Sequence, residues 1–180
     1  MRTSAAACVE RLRDRLEAAG AGRGIRWVPT GHLHLTVWFL GEVSEARGSA
    51  ILDAMRPVLD VPAFELHLAG FGGFPPSGPP RVVWMGVTQG VEQLAAAHDQ
   101  VGARLQPWGF VPEARAYSAH LTIARIKEPP QEPARAALRQ AIAHEPADAG
   151  AWRITELTVF RSRTLPKGAL YEPLVRVPLR

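Results

Sequence analysis

The feature that most constrains this chain is a four-residue run that occurs twice. His34-Leu35-Thr36-Val37 returns as His120-Leu121-Thr122-Ile123. Each copy has a helical pattern ahead of it, and a second helix followed by a pair of strand-like runs behind it. In a strand, successive side chains point to opposite faces. His34 and Thr36 therefore share one face, and Leu33, Leu35 and Val37 the other. His120 and Thr122 stand in the same relation to Leu121 and Ile123. Hairpin-joined strands predict antiparallel rather than doubly wound sheets. The fold predicted from this repeat is α+β, with two pseudo-symmetric lobes, each an antiparallel sheet with helices packed outside, and a central cleft between them. The whole chain, residues 1–180, reads as one bilobal domain.

Local patterns fill in this outline. Apolar residues recurring at three and four positions predict helices over 4–19, 45–59, 91–105 and 133–144. Apolar and β-branched runs predict strands over 33–40, 64–69, 81–87, 120–126, 153–162 and 171–179. The Gly- and Pro-rich stretch 70–80 joins two of these into a hairpin with a long loop. An apolar share of 47% supplies a real core, and the 16 Gly and 16 Pro are dispersed as turn residues rather than as a low-complexity tract. A single cysteine, Cys8, excludes an intrachain disulfide and a C-x-x-C metal site, and its Ala-rich helical setting marks it as a core residue. No apolar run is long enough to span a membrane. A cytoplasmic, soluble monomer is the expectation.

The polar faces of the two motifs suggest chemistry. Two histidines and two threonines around one point suit a phosphodiester. One imidazole can activate water and the other can protonate the leaving oxygen, help worth about 10²–10⁴-fold in rate. Threonine hydroxyls can donate to phosphate oxygens as charge builds there. No cofactor and no metal is required. His32 and His34 form an H-x-H pair, but no carboxylate or cysteine cluster supports a metal site there. A net charge of +4 and a pI near 10.0 favour anionic ligands.

Beyond the motifs, longer blocks resemble a known family. Arg26-Trp27-Val28, then Leu33 to Val37, then Phe39-Leu40-Gly41-Glu42-Val43 is similar to its first motif block. Phe71 to Pro75 with Pro80 to Val87 is similar to its middle hairpin. His120 to Arg125 is similar to its second block, and Leu157 to Ser162 with Gly168-Ala169 and Tyr171 to its C-terminal pair. Over roughly residues 5–180 the chain resembles the 2H phosphoesterase superfamily, and within it the bacterial RNA 2′,3′-cyclic phosphodiesterases, also called 2′-5′ RNA ligase-like. The resemblance implies metal-independent hydrolysis of a terminal 2′,3′-cyclic phosphate on RNA to a 2′-phosphate end. It implies His34 as proton donor to the departing 3′ oxygen and His120 as the base for water; the residues alone do not say which is acid. It implies RNA ends as partners, tRNA fragments among them, and a linked ability to join 2′–5′ ends.

Other residues carry expectations of their own. The family usually opens with a strand before the first helix; here the chain starts almost directly at the helix. Trp38 follows His34 and Thr36 at period two, so its indole either stacks on a nucleobase or packs at the rim. Arg125 is the natural phosphate partner in the second block, but strict alternation puts it opposite His120, so a bulge or the strand end must turn it inward. Arg161, Arg163 and Lys167 either extend a basic rim or are solvated charges. His67, His98 and His144 read as ordinary polar or packing residues. Two other functions fit the same motifs: a 2H enzyme acting on a small cyclic nucleotide or an ADP-ribose cyclic phosphate, and an RNA-end-binding protein with impaired catalysis.

Overall fold

A computed structural model describes residues 2–113, 115–128, 130–165 and 168–180. In chain order the elements are α1 (Arg2–Ala18), β1 (Ile25–Trp27), α2 (Glu45–Met55), β2 (Phe64–Phe74), β3 (Val82–Gln89), α3 (Val91–Leu105), β4 (His120–Ile126), α4 (Ala134–His144), β5 (Asp148–Ile154), β6 (Glu156–Leu165) and β7 (Gly168–Pro178), with 3-10 turns at Thr30–His32 and Gln106–Trp108. The protein is α+β, with two antiparallel sheets and its helices outside them. It divides into two compact units. The first takes Met1–Thr36, Leu66–Gln89 and Ala119–Trp152; the second takes Val37–Glu65, Gly90–Ser118 and Arg153–Arg180.

The first unit is built on a five-stranded sheet of order β1-β4-β3-β2-β5. One face is covered by α1 and α4. Leu12 and Leu16 of α1 and Leu138 of α4 pack with Leu68, Met85, Leu121 and Ile123 of the strands, all essentially inaccessible to water. Burying a side chain of this size is worth about 1.5–3 kcal/mol each, so this face holds the unit together. α1 ends where its sequence says it should. Gly20 adopts φ 66°, and the Ala21 and Gly20 amides donate to the Leu16 and Glu17 carbonyls. This is a left-handed helix stop that glycine makes at little cost, sealed by the buried Leu16 and Ala21.

The second motif and the His34-Leu35-Thr36 part of the first lie in this unit, and the two meet at β4. Leu35 bridges Leu121 in antiparallel register. The predicted strand over 33–40 is reduced to that one bridge. Residues 25–27 already occupy the same flank of β4 as β1, and Pro29 with the 3-10 turn interrupts the ladder before it resumes at Leu35. One boundary between the compact units falls inside the first motif, between Thr36 and Val37.

The second unit packs α2, α3 and the β6–β7 hairpin around Ile51, Met55, Leu94, Ala97, Val101, Leu105, Val175 and Val177. Its helix α2 stops at Met55, short of the predicted 45–59, because Pro57 cannot continue a helix. Arg104 of α3 satisfies the carbonyls left behind, donating to Pro57 and Val58 at 2.6 Å each. The predicted strand over 153–162 is two strands, β5 on the first unit's sheet and β6 in the second unit, divided at Thr155.

Candidate active site

On the sheet face turned away from α1 and α4, the burial of β4 alternates as its sequence demands. Leu121 and Ile123 are buried, while His120 and Thr122 are only partly covered. Leu33 is likewise buried, and His34 and Thr36 are exposed. The antiparallel Leu35–Leu121 bridge brings the two motif segments side by side. Alternation on either side of the bridged leucines turns His34, Thr36, His120 and Thr122 away from the core.

The His34 ring is oriented by its own backbone. Nδ1 lies 2.7 Å from the His32 carbonyl oxygen. A carbonyl only accepts, so Nδ1 carries the hydrogen and Nε2 is the nitrogen that exchanges protons. His32 contributes its backbone, and among the described residues no three His, Cys, Asp or Glu side chains group as a metal site.

His120 is walled by two aromatics that sequence reasoning did not single out. The Phe74 ring meets the imidazole edge-on, with centroids 5.1 Å apart and planes at 82°. Trp84 lies 6.5 Å from His120 and 5.4 Å from Phe74. Trp84 is registered opposite Thr122 on β4 and opposite Gly72 on β2. A Cβ at Gly72 would sit 2.2 Å from the indole, so glycine is what lets the ring lie flat there. The indole Nε1 is buried with no hydrogen-bond partner among the described residues. A signal was present in the sequence: Val83 and Met85 are core residues, so Trp84 between them must face the histidines.

Arg125 reaches the same face through a register slip. Val83 pairs with Ala124 but Trp84 pairs with Thr122, leaving Ile123 as the extra residue of a β-bulge. Burial follows: Ile123 and Ala124 are both buried, after which alternation resumes with Arg125 exposed and Ile126 buried. The bulge shifts the parity by one and puts Arg125 on the face of His120 and Thr122.

Trp38 belongs to the second unit, where its ring stacks on His98 at 4.7 Å and covers Gly102 of α3. Tyr117 stacks on the other side of His98 at 4.6 Å, and burial pushes its phenol up to about 12. Arg161 is paired with Glu172 across β6 and β7; Arg163 sits opposite Leu170, and Lys167 lies outside the described residues. His144 ends α4. His67 donates from Nε2 to Asp148 at 2.8 Å, and its Nδ1 is 3.0 Å from Thr88 Oγ1. The His67 hydrogen bond, then that of the Gly150 amide, holds the Asp148 carboxyl below the usual carboxylate range.

A sequence profile of the 2′-5′ RNA ligase superfamily matches residues 2–164. A protein of Aeropyrum pernix named RNA 2′,3′-cyclic phosphodiesterase is 32% identical over 93% of this chain and 92% of its own length. A Thermotoga maritima protein of the same name is 30% identical over 97% and 87%. Among solved structures, one from Thermus thermophilus superposes with a TM-score of 0.68 at 28% identity, covering 95% of this chain and 93% of that one. Escherichia coli LigT complexed with 3′-AMP superposes with a TM-score of 0.67 at 27% identity, covering 94% and 91%.

Proposed function

Because the chain belongs to the 2′-5′ RNA ligase superfamily, we propose that it hydrolyses a terminal 2′,3′-cyclic phosphate on RNA to a 2′-phosphate end, using His34 and His120 and no metal. The observation that carries this reading is the Leu35–Leu121 bridge, which brings the two histidine-and-threonine segments side by side. Water attacks phosphorus while His120 takes its proton. The bond from phosphorus to the 3′ oxygen breaks, and His34 Nε2 delivers a proton to that oxygen. The product carries a 2′-phosphate and a 3′-hydroxyl. Thr36 and Thr122 donate to the non-bridging oxygens as negative charge builds on them, where preorganised donors count most. Arg125 adds positive charge for the substrate's phosphates. Phe74 and Trp84 fix the His120 ring from the side, so little reorganisation is needed at the moment of reaction.

The division of roles between the histidines follows the family. The Nδ1 hydrogen bond fixes the His34 tautomer and leaves Nε2 as its proton-exchanging atom in either role. The test is turnover of an oligonucleotide ending in 2′,3′-cyclic phosphate by His34→Ala and His120→Ala. Each is expected to lose at least about 10²-fold in kcat while unfolding at the temperature of the parent. Retained turnover in both folded variants rejects the mechanism. Faster turnover of a free cyclic nucleotide or an ADP-ribose cyclic phosphate than of the oligonucleotide moves the substrate to small molecules. Tight binding of RNA ends without hydrolysis by the parent chain marks it as a binding protein.

A further inference from the structure

A second polar cluster stands on the same sheet face as the two histidines, outside the groups assigned to hydrolysis. On β2, Leu66 and Leu68 are buried and Leu68 belongs to the core under the helices. His67 between them is therefore turned to the face away from α1 and α4. There its Nε2 lies 2.8 Å from Asp148 Oδ1 at the start of β5, and its Nδ1 lies 3.0 Å from Thr88 Oγ1 near the end of β3. The hydrogens in this chain of contacts run one way. An ionised carboxylate only accepts, so Nε2 carries the imidazole hydrogen. The Gly150 amide donates to the same Oδ1 and holds that oxygen in place. In the neutral ring Nδ1 is then an acceptor, and the Thr88 hydroxyl supplies the hydrogen. The other acceptor that Thr88 meets among the described residues, the His67 carbonyl, is farther away at 3.4 Å. With its one hydrogen committed, the exposed Thr88 has only lone pairs to offer. A ligand atom meeting it has to bring an N–H or O–H of its own.

The register puts this acceptor beside the reacting centre. Gly86 of β3 pairs with His120 on β4 and with Ala69 on β2. Paired residues share a face, so a hydrogen and a methyl group are all that β3 and β2 present next to His120. Trp84 and Phe74 stand on one side of this bare strip, and Thr88 and His67 on the other. Thr88 is the extra residue of a β-bulge, since Leu68 pairs with Val87 but His67 pairs with Gln89. A bulge re-aims a side chain, and here the hydroxyl comes to the His67 ring. From Gly86 to Thr88 the strand advances by roughly 6–7 Å. A cyclic phosphate and the pairing edge of its own base are separated by a comparable span. We infer that Thr88, its hydrogen held by His67 and Asp148, reads the base of the terminal nucleotide by accepting from an exocyclic amino group, and so favours cytosine over uracil at the RNA end. Cytosine presents an amino group where uracil presents a carbonyl oxygen, and a carbonyl facing an acceptor is left unpaired. Thr88 sets specificity, and His67 and Asp148 are positioning residues that act through it. The inference rests on the cyclic phosphodiesterase reading above.

The experiment measures turnover of cytidine and uridine 2′,3′-cyclic phosphates by the parent chain and by Thr88→Val, Thr88→Ser and His67→Phe. The parent is expected to favour cytidine in kcat/KM by about threefold to tenfold, mostly through KM. Thr88→Val removes the acceptor at equal volume and should erase the preference by lowering kcat/KM on cytidine. Thr88→Ser keeps the hydroxyl and should keep the preference. His67→Phe releases the Thr88 hydrogen to donate to the uracil carbonyl, and should erase the preference from the other side, by raising kcat/KM on uridine. A purely structural role for the cluster would change both substrates alike. No preference in the parent, a preference that survives Thr88→Val, or equal losses on both substrates in Thr88→Val and His67→Phe overturns the inference. One arm needs no variant: N4,N4-dimethylcytidine 2′,3′-cyclic phosphate has lost both amino hydrogens and should fall to the uridine level or below with the parent. Turnover equal to that of cytidine overturns the inference. If the parent hydrolyses none of these compounds, the phosphodiesterase reading fails. The affinities of cytidine and uridine 2′-monophosphates then decide the base-reading claim: a cytidine preference lost in Thr88→Val supports it, and equal affinities in the parent overturn it.

Discussion

Substituting Gly72 by alanine tests the aromatic wall of the site without touching any group assigned to catalysis. The added methyl would lie 2.2 Å from Cζ2 and Cη2 of Trp84 and 2.6 Å from Cε2. Carbon atoms in contact rest at about 3.5–4.0 Å, so the indole must move by roughly 1.5 Å or the strands must part. Overpacking of this kind costs about 1–3 kcal/mol. Opposing it, the lower entropy of the unfolded alanine chain returns about 0.4–1 kcal/mol, since Gly72 is not among the residues at positive φ. The clash wins, with a net loss of about 1–2 kcal/mol and a fall in unfolding temperature of about 2–8 °C for a chain of this size. The displaced ring abuts Phe74 and His120, so kcat should also fall, by about tenfold or more. Thermal and urea unfolding with tryptophan fluorescence, together with cyclic-phosphate turnover, measure both effects. In a Trp84→Leu background the alanine should cost little, which a double-mutant cycle reads as coupling. A Gly72→Ala protein as stable as the parent would refute the placement of the indole over the glycine.

Thr36→Val and Thr122→Val keep side-chain volume and remove one donor each; about 10²–10³ of kcat should disappear with KM little changed, and a loss confined to KM would mean that the hydroxyls only bind. The buried Tyr117 phenol, raised to about 12, holds its proton more tightly folded than unfolded. It contributes stability in full below pH of about 10, lost as pH rises toward 12. A titration of stability between pH 9 and 12 should therefore slope downward in the parent, and the slope should flatten in Tyr117→Phe.

Much of the site was legible because it is local. Alternation within His34-Leu35-Thr36 and His120-Leu121-Thr122 places the polar groups on one face whatever else the chain does, and burial in the structure follows it. The helix over Val91–Leu105 and the strand His120–Ile126 were readable to the residue, since a clean period and a bounding glycine or a β-branched run define each. Trp84 was equally readable from its core neighbours. Apolar spacing continues past Met55 in the sequence, but Pro57 ends the helix at Glu45–Met55.

Residue type and alternation, which any neighbouring stretch of chain can express, were fixed by the sequence alone: two imidazoles, two hydroxyls and the faces they occupy. Pairing was not, because it joins segments far apart along the chain. Only the tertiary structure set Leu35 against Leu121 and Arg26 against Arg125, slipped the register at Ile123 to turn Arg125 over, and stacked Trp38 on His98. A one-residue change in register reverses every side chain beyond it, and register is decided by the packing of the whole sheet on its helices.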